Sequence, residues 1–393
     1  MTDLTGKVLL ASFMHAPVIS KVDICRDALI TIASDGTIAS VIRPDESTWK
    51  PKKSVASDEG ILVELPRQTF LLPGFIDLHI HAPQWPQLGK ALDVPLEVWL
   101  QKYTFPLEAR FSDVAFARGV YSDLVMSLLS HGTTTALYFS TIHAEATRIL
   151  TEICLEKGQR ALVGKVVMDE PDQCPDYYRD ASADIALEET QSFIDFVRSM
   201  PGNAESLVLP VVTPRFIPSC TDLALTGLGK IASEYACHVQ THCSESDWEH
   251  GYVIKRTGQT DTEALRDFGL LGRHTVLAHS NFITDSDMEA IAADGAGIAH
   301  CPLSNIYFSN AVFPLRRALE KSVHVGLGTD ISGGPSASMF DTCRHAISAS
   351  RMLEDGVDAN ADLSGRGVEG SRIDFREAFY LATAGGAKVL DLQ

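Results

Sequence analysis

Paired cysteines, basic clusters, long apolar runs and glycine-rich phosphate loops are all missing from this chain, and each absence narrows the reading. Eight cysteines occur, none of them in Cys-x-x-Cys spacing. A thiolate zinc cage is thereby excluded, and in a chain of this length the scatter points to reduced thiols in a cytoplasmic protein. Lysine and arginine together number 33 against 51 aspartates and glutamates, a net charge of −18. Such a surface repels phosphate backbones and anionic bilayers, so neither nucleic acid nor a membrane is expected as a partner. Residues 1–7 lack the basic region of a signal peptide, and the apolar run at 8–14 is too short to span a bilayer. No Gly-x-Gly-x-x-Gly turn follows any strand candidate, which argues against a dinucleotide-binding sheet. What is present is 393 residues, 45% of them hydrophobic. That is enough for two domains, or for one large barrel with an appendage.

The chain is organised around residues 71–84, Leu-Leu-Pro-Gly-Phe-Ile-Asp-Leu-His-Ile-His-Ala-Pro-Gln, where an apolar run closes on His79-Ile80-His81. Side chains two apart on a strand face the same way, so both imidazoles aim at one point. Two imidazoles so held make half of a metal site, although His-x-His alone also suits two ordinary strand histidines.

Before this stretch, residues 7–14, 30–42 and 61–65 read as strands, with Asp35-Gly36 as a hairpin turn. Residues 44–60 are polar and read as a loop. A small β region over 1–70 is therefore expected. Beyond it, strand candidates stand at 72–78, 134–139, 161–168, 207–213, 238–242, 275–279, 296–300 and 323–328. Helical periodicity lies between them: Tyr121, Leu124, Val125 and Leu128 share one helix face, residues 221–235 form another helix, and Thr284 is placed to cap a third. Eight strands alternating with helices predict an α/β fold, a (β/α)8 TIM-type barrel over 71–393.

In such a barrel, chemistry gathers at the C-terminal strand ends. Strand one ends in His79 and His81, strand five in His242 with Glu245 three residues on, strand six in His279, and strand eight in Asp330. Four imidazoles and a carboxylate suit zinc, or iron in the same geometry, with an open position for a water whose pKa falls toward about 7. Glu245 is placed to carry a proton to a substrate nitrogen, and Asp330 to accept the proton that the water loses. The remaining histidines, His238 and His300 among them, read as structural, and Cys243 and Cys301 as lining residues. His143-Ala144-Glu145 imitates the His-x-Glu of cytidine-type deaminases, but the Pro-Cys-x-x-Cys that such a site needs is absent.

These pieces resemble the metal-dependent amidohydrolase superfamily, and within it the branch that deaminates guanine. The matching runs are residues 73–77 with 79–82, 97–100 (Glu-Val-Trp-Leu), 102–106 (Lys-Tyr-Thr-Phe-Pro), 132–136, 213–216 (Thr-Pro-Arg-Phe), 242–245, 278–279, 300–302 with 304–305, 328–330 and 381–386. The resemblance implies one zinc held by His79, His81, His242, His279 and Asp330. Two-metal members bridge their ions with a modified lysine at the end of strand four, and here that strand ends Val211-Val212-Thr213-Pro214. It also implies purine contacts from Gln84, Arg215 and Phe216. Arg215 carries only donors, which suits the 6-oxo group of guanine and opposes the amino group of adenine, a mismatch worth about 10⁴ or more. The implied reaction is the hydrolytic deamination of guanine to xanthine and ammonia, a metal-bound hydroxide attacking carbon 2, in a homodimer. Further strands are implied after the barrel. The chain stops at Gln393 before them, so the N-terminal β region, part of a β-sandwich, is expected to keep an unpaired edge. Two other readings stand beside this one: a deaminase of another ring (pterin, triazine or cytosine), and an inactive relative serving as a scaffold.

Overall fold

In the computed structural model, which describes residues 3–392, the chain divides into two compact units that meet in sequence between Pro73 and Gly74. The N-terminal unit is one sheet. Strands Val8–Val18, Lys21–Ile32 and Ile38–Ile42 run as an antiparallel meander, and Leu62–Glu64 and Phe70–Leu71 add in parallel to the first of them. The hairpin turn falls at Asp35-Gly36 as the sequence predicts. Gly36 takes φ +86°, and the Asp35 carboxylate accepts from the Thr37 N–H at 2.9 Å. The strand before that turn starts at Lys21, nine residues earlier than the sequence reading has it, because Ala28 and Leu29 are buried and extend the apolar face backwards.

Residues 44–60 depart from expectation, since Trp49–Asp58 is a helix. Pro51 argues for a loop in the sequence, but it sits in the first helical turn, where its missing N–H breaks no bond. Ala56 on the helix is fully buried, and the Trp49 indole donates to the Asp27 carbonyl at 2.8 Å.

The second unit is a TIM-type barrel. Its parallel strands are Phe75–His81, Thr133–Phe139, Arg160–Gly164 continued by Val166–Val167, Val208–Pro214, His238–Cys243, Thr275–His279, Gly297–His300 and His324–Leu327, each paired with its sequence neighbour. All eight fall where the apolar runs predict. The first lies three residues later than expected, so the two histidines are part of the strand. The third is split at Lys165. Inward side chains fill the barrel with Leu78, Leu137, Leu162, Val211, Val276 and Ala299. Tyr121, Leu124, Val125 and Leu128 of helix Val114–Ser130 pack against its outside. That helix starts on the Asp113 carboxylate, which accepts from Ala115 and Phe116 N–H, and Gly132 ends it at φ +86°. Thr221 and Thr284 cap the helices that follow them.

Strands one and eight close the barrel through few bonds. Asp330 N–H donates to the His79 carbonyl at 2.8 Å and His81 N–H to the Ile331 carbonyl at 2.9 Å. The buried Asp77 carboxylate reinforces this seam by accepting from the Thr329 N–H at 3.0 Å and from its hydroxyl at 2.5 Å. No helix among the described residues is long and apolar enough to cross a membrane.

Candidate active site

Four of the barrel strands deliver side chains to the same rim. His79 and His81 alternate along strand one and face one side, His242 and His279 end strands five and six, and Asp330 lies three residues past strand eight. All five are buried. The Asp330 carboxylate stands 3.2 Å from His79 Nε2 and 3.6 Å from His81 Nε2. Its other oxygen is 3.9 Å from His279 Nε2. His81 and His242 bring their Nε2 atoms within 3.0 Å of each other. Three overlapping triads have donor atoms within 4.8 Å of one another: His79, His242 and His279; His79, His81 and Asp330; and Glu245, His279 and Asp330.

Backbone bends aim these groups. Ser244, His279 and Asp330 adopt φ of +46°, +70° and +51°. Left-handed conformations outside glycine cost energy and gather where function requires a particular side-chain direction. The rear nitrogens are also held. His242 Nδ1 lies 2.6 Å from the Arg215 carbonyl, which accepts its proton and leaves Nε2 as the free acceptor. His279 Nδ1 lies 3.0 Å from the Asn305 amide oxygen, and Asn305 is in turn held by Asn281 at 2.7 Å. His79 Nε2 and His279 Nε2 are buried with no hydrogen-bond partner. Two orphaned acceptors beside a carboxylate form an arrangement that a cation completes.

Electrostatics agree with this. Burial, and then neighbouring imidazoles, push His79, His81 and His242 far below the usual histidine range. They are neutral, the form that ligates a metal. Glu245 moves the other way, raised to about 8 first by burial and then by the charge of Asp330, with Arg215 opposing. Its Oε1 stands 3.6 Å from His279 Nε2.

The cavity in front of these groups is lined by Gln84, Leu100, Arg215, Phe216 and Phe308, with His81, His242, Glu245 and Asp330 at its floor. Gln84, Arg215 and Phe216 thus line the same cavity as His81, His242, Glu245 and Asp330. Arg215 also forms a buried ion pair with Glu108, Nη1 to Oε2 at 2.7 Å. Trp85, in the turn Ala82–Gln87 after strand one, is an anchor: its indole donates to Asp123 at 2.7 Å. His238 Nε2 bonds the Leu390 carbonyl at 2.8 Å, and His300 packs on Phe313. Burial pushes the Cys243 and Cys301 thiols up, which keeps them protonated. Lys165 is fully buried and paired with Asp180 and with Glu189, the latter at 3.0 Å.

Sequence reasoning missed Glu108, Asp77 and the Asn281–Asn305 pair. Asp77 carried a signal: it stands two residues before His79, a charged side chain inside an apolar run.

Comparison with known proteins follows the same lines. The model of the amidohydrolase family matches residues 70–393. The guanine deaminase of Dictyostelium discoideum is 38% identical over 98% of this chain and 84% of its own length. The guanine deaminase of Homo sapiens is 35% identical over 97% of this chain and 81% of its own. Among solved structures, guanine deaminase from C. acetobutylicum with bound guanine in the active site superposes with a TM-score of 0.87. That pair is 31% identical, and the match covers 98% of this chain and 86% of that one.

Proposed function

The chain belongs to the amidohydrolase family, and from that premise we propose that it hydrolyses guanine to xanthine and ammonia with one zinc ion per chain. The observation that carries the reading is the convergence of four imidazoles and Asp330 on a cavity that also holds Glu245 and Arg215. His79, His81, His242, His279 and Asp330 would hold the ion. The fit rests on their chemistry: neutral nitrogen donors, one carboxylate, and two buried Nε2 atoms without a partner. When bound there, zinc supplies Lewis acidity and lowers the pKa of a water toward about 7.

The chain's own side chains do the rest. Arg215 binds the 6-oxo group with donors left over from its pair with Glu108, and Phe216 packs beside the ring. Leu100 and Phe308 exclude bulk water. As water adds to carbon 2, Asp330 takes up its proton at a carboxylate oxygen. Glu245, protonated at neutral pH, gives a proton from its carboxyl to the ring nitrogen beside that carbon. The same proton traffic then serves the departing amine, and ammonia leaves. We extend the proposal to a homodimer in the cytoplasm. The family resemblance supports the first, and eight cysteines that are all free and buried support the second.

The test is ammonia release from guanine, cytosine, a pterin and a triazine, measured on one preparation together with its metal content. Guanine is expected to lead clearly, with about one zinc per chain. Turnover of another ring in its place would sink the substrate assignment, and a metal-free, inactive preparation would favour a scaffold.

A further inference from the structure

We propose that Glu108 is a positioning residue for base selectivity: it locks the Gln84 side-chain amide in one of its two orientations, so that the cavity accepts a 6-oxo purine and refuses a 6-amino purine. The proposal rests on the guanine reading above and goes beyond it, because Glu108 lies behind the lining residues.

Glu108 closes the short helix Phe105–Glu108 and has no exposed surface. A buried carboxylate must be fully hydrogen-bonded. Its hydrogen-bond partners are two of the polar residues that line the cavity, Gln84 and Arg215. Oε1 accepts from Gln84 Nε2 at 2.8 Å and from Arg215 Nη2 at 3.2 Å, and Oε2 accepts from Arg215 Nη1 at 2.7 Å. Arg215 thus spends two of its N–H groups on a forked pair that fixes the guanidinium plane.

The consequence for Gln84 is sharper. A glutamine amide has nearly the same shape in either orientation, so its hydrogen-bond partners alone decide which is adopted. On one side Gln84 meets Glu108, an acceptor only. On the other its Oε1 accepts from the Ser332 backbone N–H at 3.1 Å, a donor only, and lies 3.4 Å from the Ser332 hydroxyl. One orientation satisfies both. The flipped amide would set Oε1 against the carboxylate and Nε2 against the Ser332 N–H, leaving buried groups facing like partners.

The locked amide presents, in fixed order, one unspent N–H beside its oxygen, whose second lone pair meets only the rotatable Ser332 hydroxyl at 3.4 Å and is free when that hydroxyl turns away. The lactam edge of guanine carries a carbonyl oxygen beside a ring N–H and matches that order. The corresponding edge of 2,6-diaminopurine carries an amino group beside a bare nitrogen and requires the reverse. Both bases have the same amine on carbon 2, so the chemistry at the reacting carbon is held constant between them.

The experiment measures kcat/KM for guanine and for 2,6-diaminopurine in the parent, in Glu108→Gln and in Gln84→Leu, with metal content and melting temperature alongside. Residue 108 as glutamine can turn with Gln84 and accept either orientation. The guanine preference is therefore expected to fall about tenfold or more, with zinc content unchanged. Gln84→Leu keeps the Glu108–Arg215 pair and removes only the amide; it should lose the same preference, and it carries the test if Glu108→Gln does not fold. Equal losses on both bases, with the ratio preserved in folded variants, would overturn the proposal and leave Glu108 a structural counter-ion. A parent that does not deaminate guanine would overturn the functional reading and this inference together, which distinguishes the two failures.

Discussion

Glu245 is buried, faces the carboxylate of Asp330 and is raised to about 8 from an ordinary 4.5, the Arg215 charge opposing the shift without cancelling it. A carboxyl in that state is an acid at neutral pH, which is what protonating a ring nitrogen requires. Glu245→Gln should therefore lower kcat/KM for guanine by about 10²–10⁴. Zinc content should stay at the parental level; loss of the metal would make Glu245 a ligand instead, as its place in a triad with His279 and Asp330 allows. The same shift has a sign in stability. In the metal-free protein the folded state keeps the Glu245 proton up to about pH 8, whereas the unfolded chain releases it near 4.5. Stability is thus fully present below 4.5 and is lost as pH rises through the folded value. Glutamine has no such term. The melting difference between Glu245→Gln and the parent, both stripped of metal, should move in favour of the variant from pH 5 to pH 9, and a flat difference would contradict the assignment. Residues of this kind were legible because imidazoles and carboxylates at strand ends are chemically conspicuous. Glu108 was not, since its meaning comes from Gln84 and Arg215, which lie 24 and 107 positions away.

Elements were legible where periodicity and length agreed, as in the eight strands and in helix Val114–Ser130. They were not where a local signal spoke against the tertiary outcome, as at Pro51 in helix Trp49–Asp58. Strand three shows a third case. A single apolar run predicted one strand, yet the ladder breaks between Gly164 and Val166. Gly164 lies so close to strand four that a Cβ would meet Thr213 Oγ1 at 1.7 Å. The next residue, Lys165, turns its ammonium into a buried pocket of Asp180 and Glu189. Asp180 also accepts from the Met168 N–H at 2.9 Å, so the pair ties the strand end to the loop that follows. Lys165 is therefore occupied as a counter-ion, and strand four ends in Pro214 with no lysine to bridge a second metal. Lys165→Ala should cost about 3–5 kcal/mol, because it leaves a buried carboxylate unpaired. Denaturant midpoints report this cost, and zinc content should be unaffected. A loss under about 1 kcal/mol would show the ion pair to be dispensable.

At the scale of the whole chain, the donor set and the barrel's closure are one feature. Strands one and eight are joined by the bonds at His79, His81 and Asp330 and by the Asp77 clamp on Thr329. His79 and His81 stand on one side of that seam and Asp330 on the other, while His242 and His279 come from the opposite wall. An ion held by all five therefore spans the place where the barrel has the fewest backbone bonds, and no donor comes from the N-terminal sheet. The alternation of apolar runs and helical stretches predicted the barrel, but nothing in a linear pattern says that the histidine–aspartate cluster and the seam coincide; that follows from the register of first and last strands in space. Removing the metal should accordingly loosen the barrel. With zinc at a thousandfold over its dissociation constant the stabilisation is about 4 kcal/mol, and it should grow with the logarithm of free zinc. Hydrogen exchange gives the local test. Chelation should speed exchange at the amides of His81, Thr329 and Asp330 and leave the hairpin of Val8–Val18 and Lys21–Ile32 unchanged. Exchange that rises equally in both units would mean that the ion stabilises the chain globally, and equal protection with and without zinc would mean that these five side chains do not hold it.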